Sequence, residues 1–507
     1  MMGPVSANDA TPGALDAALR RADKLGAILE VAQAMAARRS LDDLLPFILR
    51  ETARVLDCER CSLLVLDRDT GELRSRVAQG VDGVDIRVPL GQGLAGTVAQ
   101  TGEVINLRDA YDDPRFDRTW DVLNRYRTTS VLCVPMRDTR GEITGVIQAL
   151  NANDGSFDGE DEVLIAALAG QAAQAIENAR LHQEIEQLFE GFVQASVMAI
   201  ESRDPTTAGH SGRVASLTVS LAEHVERAPP ITYPGLRFSR EQMQEIRYAS
   251  LLHDFGKIGV REPVLVKADK LYPHEFDRVR QRFELARRDR QLASARRCLE
   301  AVRQRGLDRL EEIQSDEQRR VDDELAALDD AFAFVVECNK PTVLAQGGFE
   351  RLDDLRALCF HDSHGREQPL LLPDELSVLA IPRGSLSATE RKEIESHVSH
   401  TWRFLSQIPW TRALRDVPRI AYAHHEKLDG RGYPQSLAAR VIPVQSKMMA
   451  IADIYDALTA SDRPYKRAVP HEAALRILRS EAGSGQLDAA LLDVFIEAEI
   501  PRRALDR

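Results

Sequence analysis

The apolar positions in the first third of the chain change period several times. Leu25–Ala37 and Leu41–Leu56 repeat at three- and four-residue steps, which predicts two helices. Cys61–Leu66 and Arg74–Ala78 are short runs of strand type separated by the turn Asp69-Thr70-Gly71. The stretch GQGLAGTVAQTGEVINL, residues 91–107, reads as a short helix between two glycine-rich turns. Ser130–Met136 and Ile143–Leu150 are apolar strands joined by a turn at Gly141, and a closing helix begins near Asp158. Together these predict an α+β domain over residues 26–180, one antiparallel sheet with flanking helices. Residues 1–25, rich in Ala, Gly and Pro, read as a flexible start.

Residues 158–202 form one near-continuous helical pattern without proline, with Leu164, Leu168, Ala172, Ala175, Ile176, Ala179, Ile185 and Leu188 on one stripe. A long helix between two domains has little else to bury against, so the stripe predicts a parallel coiled coil with a second copy of the chain. From residue 191 to 507 the pattern is all-α. Within it, residues 275–340 are dense in Arg, Glu, Asp, Leu and Ala, with one breaker at Gly306. This predicts a helical hairpin, read as a solvated structural arm, with a partner-docking surface or a lid as the functional alternative.

Composition narrows the class. Of 507 residues, 44% are apolar and 29% charged, as in soluble multidomain proteins. No apolar run approaches the roughly 18 residues that cross a bilayer, so no membrane partner is expected. The start of the chain lacks a basic segment followed by an apolar one, which points to a cytoplasmic protein. A net charge of −13 argues against binding a nucleic acid polymer. It leaves room for a small phosphorylated ligand, because a local cluster of cations overrides the global sign. Six cysteines in a chain of this length fit a reducing compartment. Cys58 and Cys61 form a CxxC without the second pair a zinc site needs, and read as core residues.

The chemistry concentrates in the helical part. His253-Asp254 lies in LLHDFGKIG, where Lys257 follows at helical spacing on the same face. His424-His425-Glu426 precedes Asp429-Gly430-Arg431-Gly432-Tyr433-Pro434, a loop whose backbone N–H groups could face an anion. Asp453 sits in MMAIADIYDALTA, where an acid is costly unless paired or ligating metal. Asp456 reads as its structural support. His210 lies in DPTTAGHSGR and His397 in ATERKEIESHVSHTWRFL, with His400 read as a packing residue.

These motifs carry two resemblances. GQGLAGTVAQTG, SVLCVPM and NANDGSFDGEDE resemble a GAF domain, a sensory module, over about 150 residues. Nucleotide-binding members carry Asn-Lys, Phe and Asp-Glu at the last of these. Asn151, Phe157, Asp161 and Glu162 match, while Ala152 replaces the Lys, so a small-molecule ligand and a purely dimerising role both stay open. His253-Asp254-Phe255-Gly256-Lys257 fits the HDxGK motif, and HHEKLDGRGYP the HHExxDGxGYP motif, of the HD-GYP phosphodiesterases, a subgroup of the HD metal-dependent phosphohydrolases. The resemblance covers most of residues 191–490. Arg282 stands where the family has its next His, and GSLSATERKEIESH resumes the pattern, so residues 280–385 read as an insertion that reshapes access to the site.

What the resemblance implies is specific. His210, His253, Asp254 and Asp453 would form the basic metal set. His397, His424 and His425 would complete a second site with Asp254 bridging. Lys257 would contact the scissile phosphate, and Arg463 and Lys466 would hold the substrate, with Gly432 and Tyr433 in the substrate-side loop. Thr206 stands where some relatives have an extra carboxylate, so two divalent metals are expected, iron or manganese by ligand type, with zinc also admitted. The implied reaction is hydrolysis of cyclic di-GMP to linear pGpG, or onward to GMP, by a hydroxide bridging the metals. The implied setting is signal transduction in a GAF-linked homodimer, with the insertion open to a partner protein. Two alternatives stay open: hydrolysis of another nucleotide, and a receptor that binds a cyclic dinucleotide without cleaving it.

Overall fold

The computed structural model describes residues 26–38, 40–75, 86–203, 208–227, 233, 235–341, 348–460 and 468–505. The sequence expectation of a flexible start at residues 1–25 therefore lies outside the described residues. The chain divides into two compact units, Met1–Gly191 and Phe192–Arg507.

The first unit is built on a six-stranded antiparallel sheet: β1 (Cys58–Asp67), β2 (Glu72–Ser75), β3 (Ile86–Pro89), β4 (Ile105–Leu107), β5 (Val131–Arg137) and β6 (Ile143–Ala152). The spatial order is β3-β2-β1-β6-β5-β4. Alternate residues of a strand face opposite sides, and here both sides are covered. Leu63, Leu132, Val134, Met136, Ile147 and Ala149 join a core with residues 26–36, Leu41–Leu56 and the start of Gly159–Arg203, all helical. Leu64, Val131, Cys133 and Val146 point the other way, into a core closed by the Gly93–Thr101 helix. That double burial explains why β1, β5 and β6 read as continuous apolar runs. β3 and β4 were not anticipated from sequence; at four and three residues they are too short to show a period. Cys58 and Cys61 are both buried in the first of these cores, as their packing role requires.

The helix Gly159–Arg203 runs across the boundary between the units. Asp158 caps it by accepting from the N–H groups of Glu160 and Asp161. No helix among the described residues is long and apolar enough to cross a membrane.

Among its described residues, the regular structure of the second unit is helical except for one small hairpin. Helices His210–Val225, Arg240–Leu252, Ala388–Leu405, Val417–Tyr422 and Val444–Thr459 surround the histidine cluster. Between the second and third stand two long helices, Pro273–Arg305 and Leu310–Asn339, parted at Gly306. The solvated arm expected from their charge describes their distal part, where only Ser294, Ile313 and Val321 of residues 287–327 are buried, but not their base. Val279, Phe283, Ala286, Leu328, Ala331 and Val335 pack with Leu352, Leu355, Phe360, Leu370, Leu371 and Leu376 in an apolar core of their own. The last six come from the helices Gly348–Leu355 and Pro373–Leu379, from a hairpin of β7 (Cys359–His361) and β8 (Glu367–Pro369), and from the link after β8 that carries Leu370 and Leu371. The charged residues that suggested an arm pair across the surface, as Arg297 does with Glu317. Arg282, found where a ligand His was expected, donates to the Leu370 carbonyl and pairs with Glu375, so it holds this subdomain together.

Candidate metal centre

His210 opens its helix. His253 and Asp254 stand where Arg240–Leu252 ends and a tight turn, Phe255–Gly259, begins. The expectation that Lys257 shares a continuous helix face with them is therefore corrected: the turn, not a helix, carries it back over Asp254. His397 lies in mid-helix, His424 and His425 just past Val417–Tyr422, and Asp453 in the middle of Val444–Thr459. The fold brings all seven together. Their ligand atoms form three overlapping groups, each within 4.8 Å: His397, His424 and His425; His210, His253 and Asp254; His253, His424 and Asp453.

Asp254 lies between the first two groups. Its Oδ1 is 3.3 Å from His397 Nε2, and its Oδ2 is 3.7 Å from His210 Nε2 and 3.5 Å from His253 Nε2. Lys257 Nζ stands 2.8 Å from the same Oδ2. Asp453 Oδ1 is 3.2 Å from His210 Nε2.

Three of the histidines are held alike. His253, His397 and His424 each turn Nδ1 to the backbone carbonyl three residues back, at 2.7, 2.5 and 2.6 Å. A carbonyl only accepts, so each Nδ1 carries the proton and each Nε2 keeps its lone pair. All three Nε2 atoms are buried and have no hydrogen-bond partner. Leaving a buried polar atom unmet costs about 1–3 kcal/mol, and all three such atoms belong to the overlapping ligand groups around Asp254 and Asp453. This fits a cation, and the residues present are a donor set of the right chemistry for one or more divalent metals.

The electrostatics agree. Burial pushes the Asp254 carboxyl up, but Lys257 and the imidazoles of His253, His397 and His210 outweigh it and hold the carboxyl well below its usual range. Asp453 is likewise held ionised against burial, chiefly by the His210 hydrogen bond. Burial drives His425 down to about 3 and, with His425 and His253 beside it, keeps His424 neutral as well. His210 goes the other way. Burial opposes its charge, yet Asp453 and Asp456 raise it to about 9, which marks a spot short of positive charge.

Two contributors were less visible in sequence. Asp456 accepts from His210 Nδ1 at 2.7 Å and takes a two-pronged contact from Arg213, at 2.6 and 3.0 Å. Asp456 was anticipated as structural support. Arg213 was not, and its three-residue spacing from His210 is the only sequence trace of it. The loop after His425 also differs from expectation. Its N–H groups do not wait for an outside anion: those of Gln435 and Leu437 donate to the buried Glu426 carboxylate, that of Tyr433 to the His425 carbonyl, and that of Arg431 to Asp429. Gly432 is obligatory here, because a Cβ would run into the Glu426–Lys427 backbone. The loop delivers the Tyr433 ring to 4.7 Å from the His425 ring. Gly256 is similarly tight against the His397 carbonyl. Arg463, Lys466 and Thr206 lie outside the described residues.

In the first unit, a cavity of about 330 Å³ opens on one face of the sheet, with Arg60, Gln92, Phe116, Tyr126 and Gln148 among its walls. Asn151 and Phe157, part of the nucleotide-binding resemblance, do not line it. Asn151 bonds Thr129, Glu59 and the Arg127 carbonyl, and Phe157 is core.

Comparison with known proteins agrees with this architecture. A GAF domain model matches residues 40–176, and two HD domain models match residues 207–327 and 369–491. Among curated proteins, the chain is 35% identical over 141 residues to a dual 3',5'-cyclic-AMP and -GMP phosphodiesterase 11A of Takifugu rubripes, covering 25% of this chain and 16% of that one. It is 30% identical over 158 residues to a probable 3',5'-cyclic phosphodiesterase of Caenorhabditis elegans, covering 29% of this chain and 22% of that one. The chain thus spans less than a quarter of the length of these relatives. Among solved structures, the GAF domain of a phosphoenolpyruvate-protein phosphotransferase from Coxiella burnetii shares 25% identity over 32% of this chain and 98% of its own, at a TM-score of 0.30. The chain therefore joins a GAF domain to a helical HD-domain region.

Proposed function

We propose that this chain is a metal-dependent phosphodiesterase that opens cyclic di-GMP to linear pGpG, under control of its GAF domain. The observation that carries the reading is the convergence of the unmet Nε2 atoms of His253, His397 and His424 beside two ionised carboxylates. His210, His253, Asp254 and Asp453 would hold one ion and His397, His424 and His425 a second, with Asp254 also beside His397. Divalent ions in those places supply Lewis acidity and lower the pKa of water toward neutrality. The chain's own groups do the rest. Asp254 stays ionised and orients the attacking water. Lys257 offsets charge on the phosphoryl oxygens as it develops. The neutral imidazoles keep their lone pairs for the ions, and Asp456 fixes the direction of His210. Tyr433 borders the substrate side, and Arg463 and Lys466 would meet the substrate phosphate or base.

Residues 26–180 are the proposed sensor, with a small ligand in the 330 Å³ cavity, and residues 158–202 the relay into the catalytic region, 191–507. In the single chain Leu181, Ile185, Leu188 and Phe192 are exposed at steps of four, three and four, which suits a coiled-coil dimer. The test of the reaction is product analysis. Protein loaded with manganese or iron and given cyclic di-GMP should yield pGpG or GMP, and the Asp254→Ala variant should yield neither. The names of the two curated relatives favour a second reading, a 3',5'-cyclic mononucleotide as substrate. Cyclic AMP and cyclic GMP belong in the same assay, and cleavage of either in preference to the dinucleotide would replace the first reading.

A further inference from the structure

The helix that carries His397 begins directly after the inserted subdomain and is pinned at both ends. Toward its C-terminus, Thr401 Oγ1 accepts from the Gly256 N–H at 2.8 Å and donates to the His253 carbonyl at 3.0 Å, which ties it to the HD motif. Toward its N-terminus, Glu390 accepts both contacts of Lys267 Nζ, at 2.8 and 2.9 Å, and the Tyr272 hydroxyl at 2.6 Å. His397 lies between the pins, seven residues beyond Glu390, or two turns on the same face.

The N-terminal pin is also the neck of the subdomain. Tyr272 caps Pro273–Arg305, the first helix of the subdomain. Lys267 gives its carbonyl to Ser385 on the returning strand of chain. Lys270, fully buried, donates from Nζ to the Leu379 carbonyl at 2.9 Å and from its backbone N–H to the Asn339 carbonyl at 2.8 Å. Leu271 and Leu379 belong to the subdomain core itself. The short segment 267–272 is therefore held on one side to the subdomain, through Lys270 and Leu271, and on the other to Glu390, through Lys267 and Tyr272.

We infer that Glu390 is a positioning residue for His397, and that the inserted subdomain sets the affinity of the His397–His424–His425 ion through it. The inference rests on the metal reading above. With Glu390 engaged, the helix presents His397 Nε2 to Asp254 and its partners. Without it, the helix keeps its C-terminal anchors, Thr401 and the Phe255–Phe404 stack, and the exposed Arg261–Glu393 pair, but its N-terminal half loosens and His397 gains freedom to swing. The His210–His253–Asp254 group draws on no residue of this neck and keeps its ion.

The experiment is manganese binding to the full chain, followed by titration and by metal content after gel filtration, with no substrate present. Wild type should bind two ions. Glu390→Gln should weaken one of them about tenfold and leave the other unchanged, the low end for residues that orient a metal ligand. Tyr272→Phe, which removes one hydroxyl, should shift the same ion in the same direction by less, and decides the matter if Glu390→Gln does not fold. Phe360→Ala, in the subdomain core, should do likewise. Unchanged binding of both ions in Glu390→Gln and Tyr272→Phe, or equal weakening of both, overturns the inference. A wild type that binds no manganese overturns the metal reading itself.

Discussion

Both units bury polar side chains, and they do so for opposite reasons. In the GAF unit, Asn151 fills its hydrogen-bonding capacity: Oδ1 accepts from the Thr129 N–H and hydroxyl, and Nδ2 donates to Glu59 and the Arg127 carbonyl. Asp121 accepts from the Thr128 N–H and hydroxyl and from the Tyr111 hydroxyl. These are closed networks that hold loops in place. In the HD region, His253, His397 and His424 satisfy one ring nitrogen on the backbone and leave the other unmet. A half-open network is a cost to folding unless something outside the chain completes it. On the proposed reading, the contrast separates polar groups buried for structure from polar groups buried for binding.

The sharpest way to break the comparison is to truncate one residue of each kind. His424→Ala should leave the fold intact and take hydrolysis below detection, with metal content falling by at least one ion per chain, as read by elemental analysis. A variant that is less stable but keeps its full metal content would place His424 with Asn151 as a structural residue. Asp456→Asn comes next. It weakens the contact that orients His210 and removes the charge facing Arg213, so metal affinity should drop about ten- to a hundredfold, and the metal-free protein should also melt earlier because Arg213 loses its buried partner. Asp121→Ala should affect stability alone. It orphans the buried Thr128 N–H and costs about 3 kcal/mol in the GAF transition seen by calorimetry, with metal content unchanged.

The sequence exposed the half-open set better than its surroundings. His253-Asp254, His424-His425 and Asp453 stood out because packing alone rarely sets ligand types side by side or places an acid inside an apolar helix. The strands β1, β5 and β6 were visible because burial on both faces makes them long apolar runs. The core at the base of the 273–339 helix pair went unread because it joins Phe283 to Leu370 and Leu371, nearly ninety positions apart, through a hairpin with strands of three residues. Local charge dominated the pattern there, and no short-range period betrays such a core. Arg213 and Asp456 meet across 243 positions, a pairing that spacing cannot announce. The loop after His425 looked like an anion cradle because its glycines suggest free N–H groups, whereas the anion it cradles, Glu426, is its own.

Glu390 tests the comparison where it is least clear, because it is a closed network that serves the open one. Burial pushes its carboxyl up, but Lys267, Tyr272 and the Ser387 cap outweigh burial and bring it down to about 2. Arg261 and Glu393 are the next charges beside it. A carboxylate whose folded pKa lies below its ordinary value of about 4.5 stabilises the fold fully above that value. The contribution fades as pH falls from there toward 2, because the unfolded chain takes up the proton first. The gap in unfolding free energy between wild type and Glu390→Gln should therefore be about 2 kcal/mol at pH 6 and narrow steadily below pH 4.5. Denaturant titrations of the metal-free protein at several pH values measure it, with metal kept out so that the histidines contribute equally to both proteins. A gap that stays constant through this window would mean that the Lys267–Glu390–Tyr272 contacts hold without the charge, and that the pin on the His397 helix is one of packing.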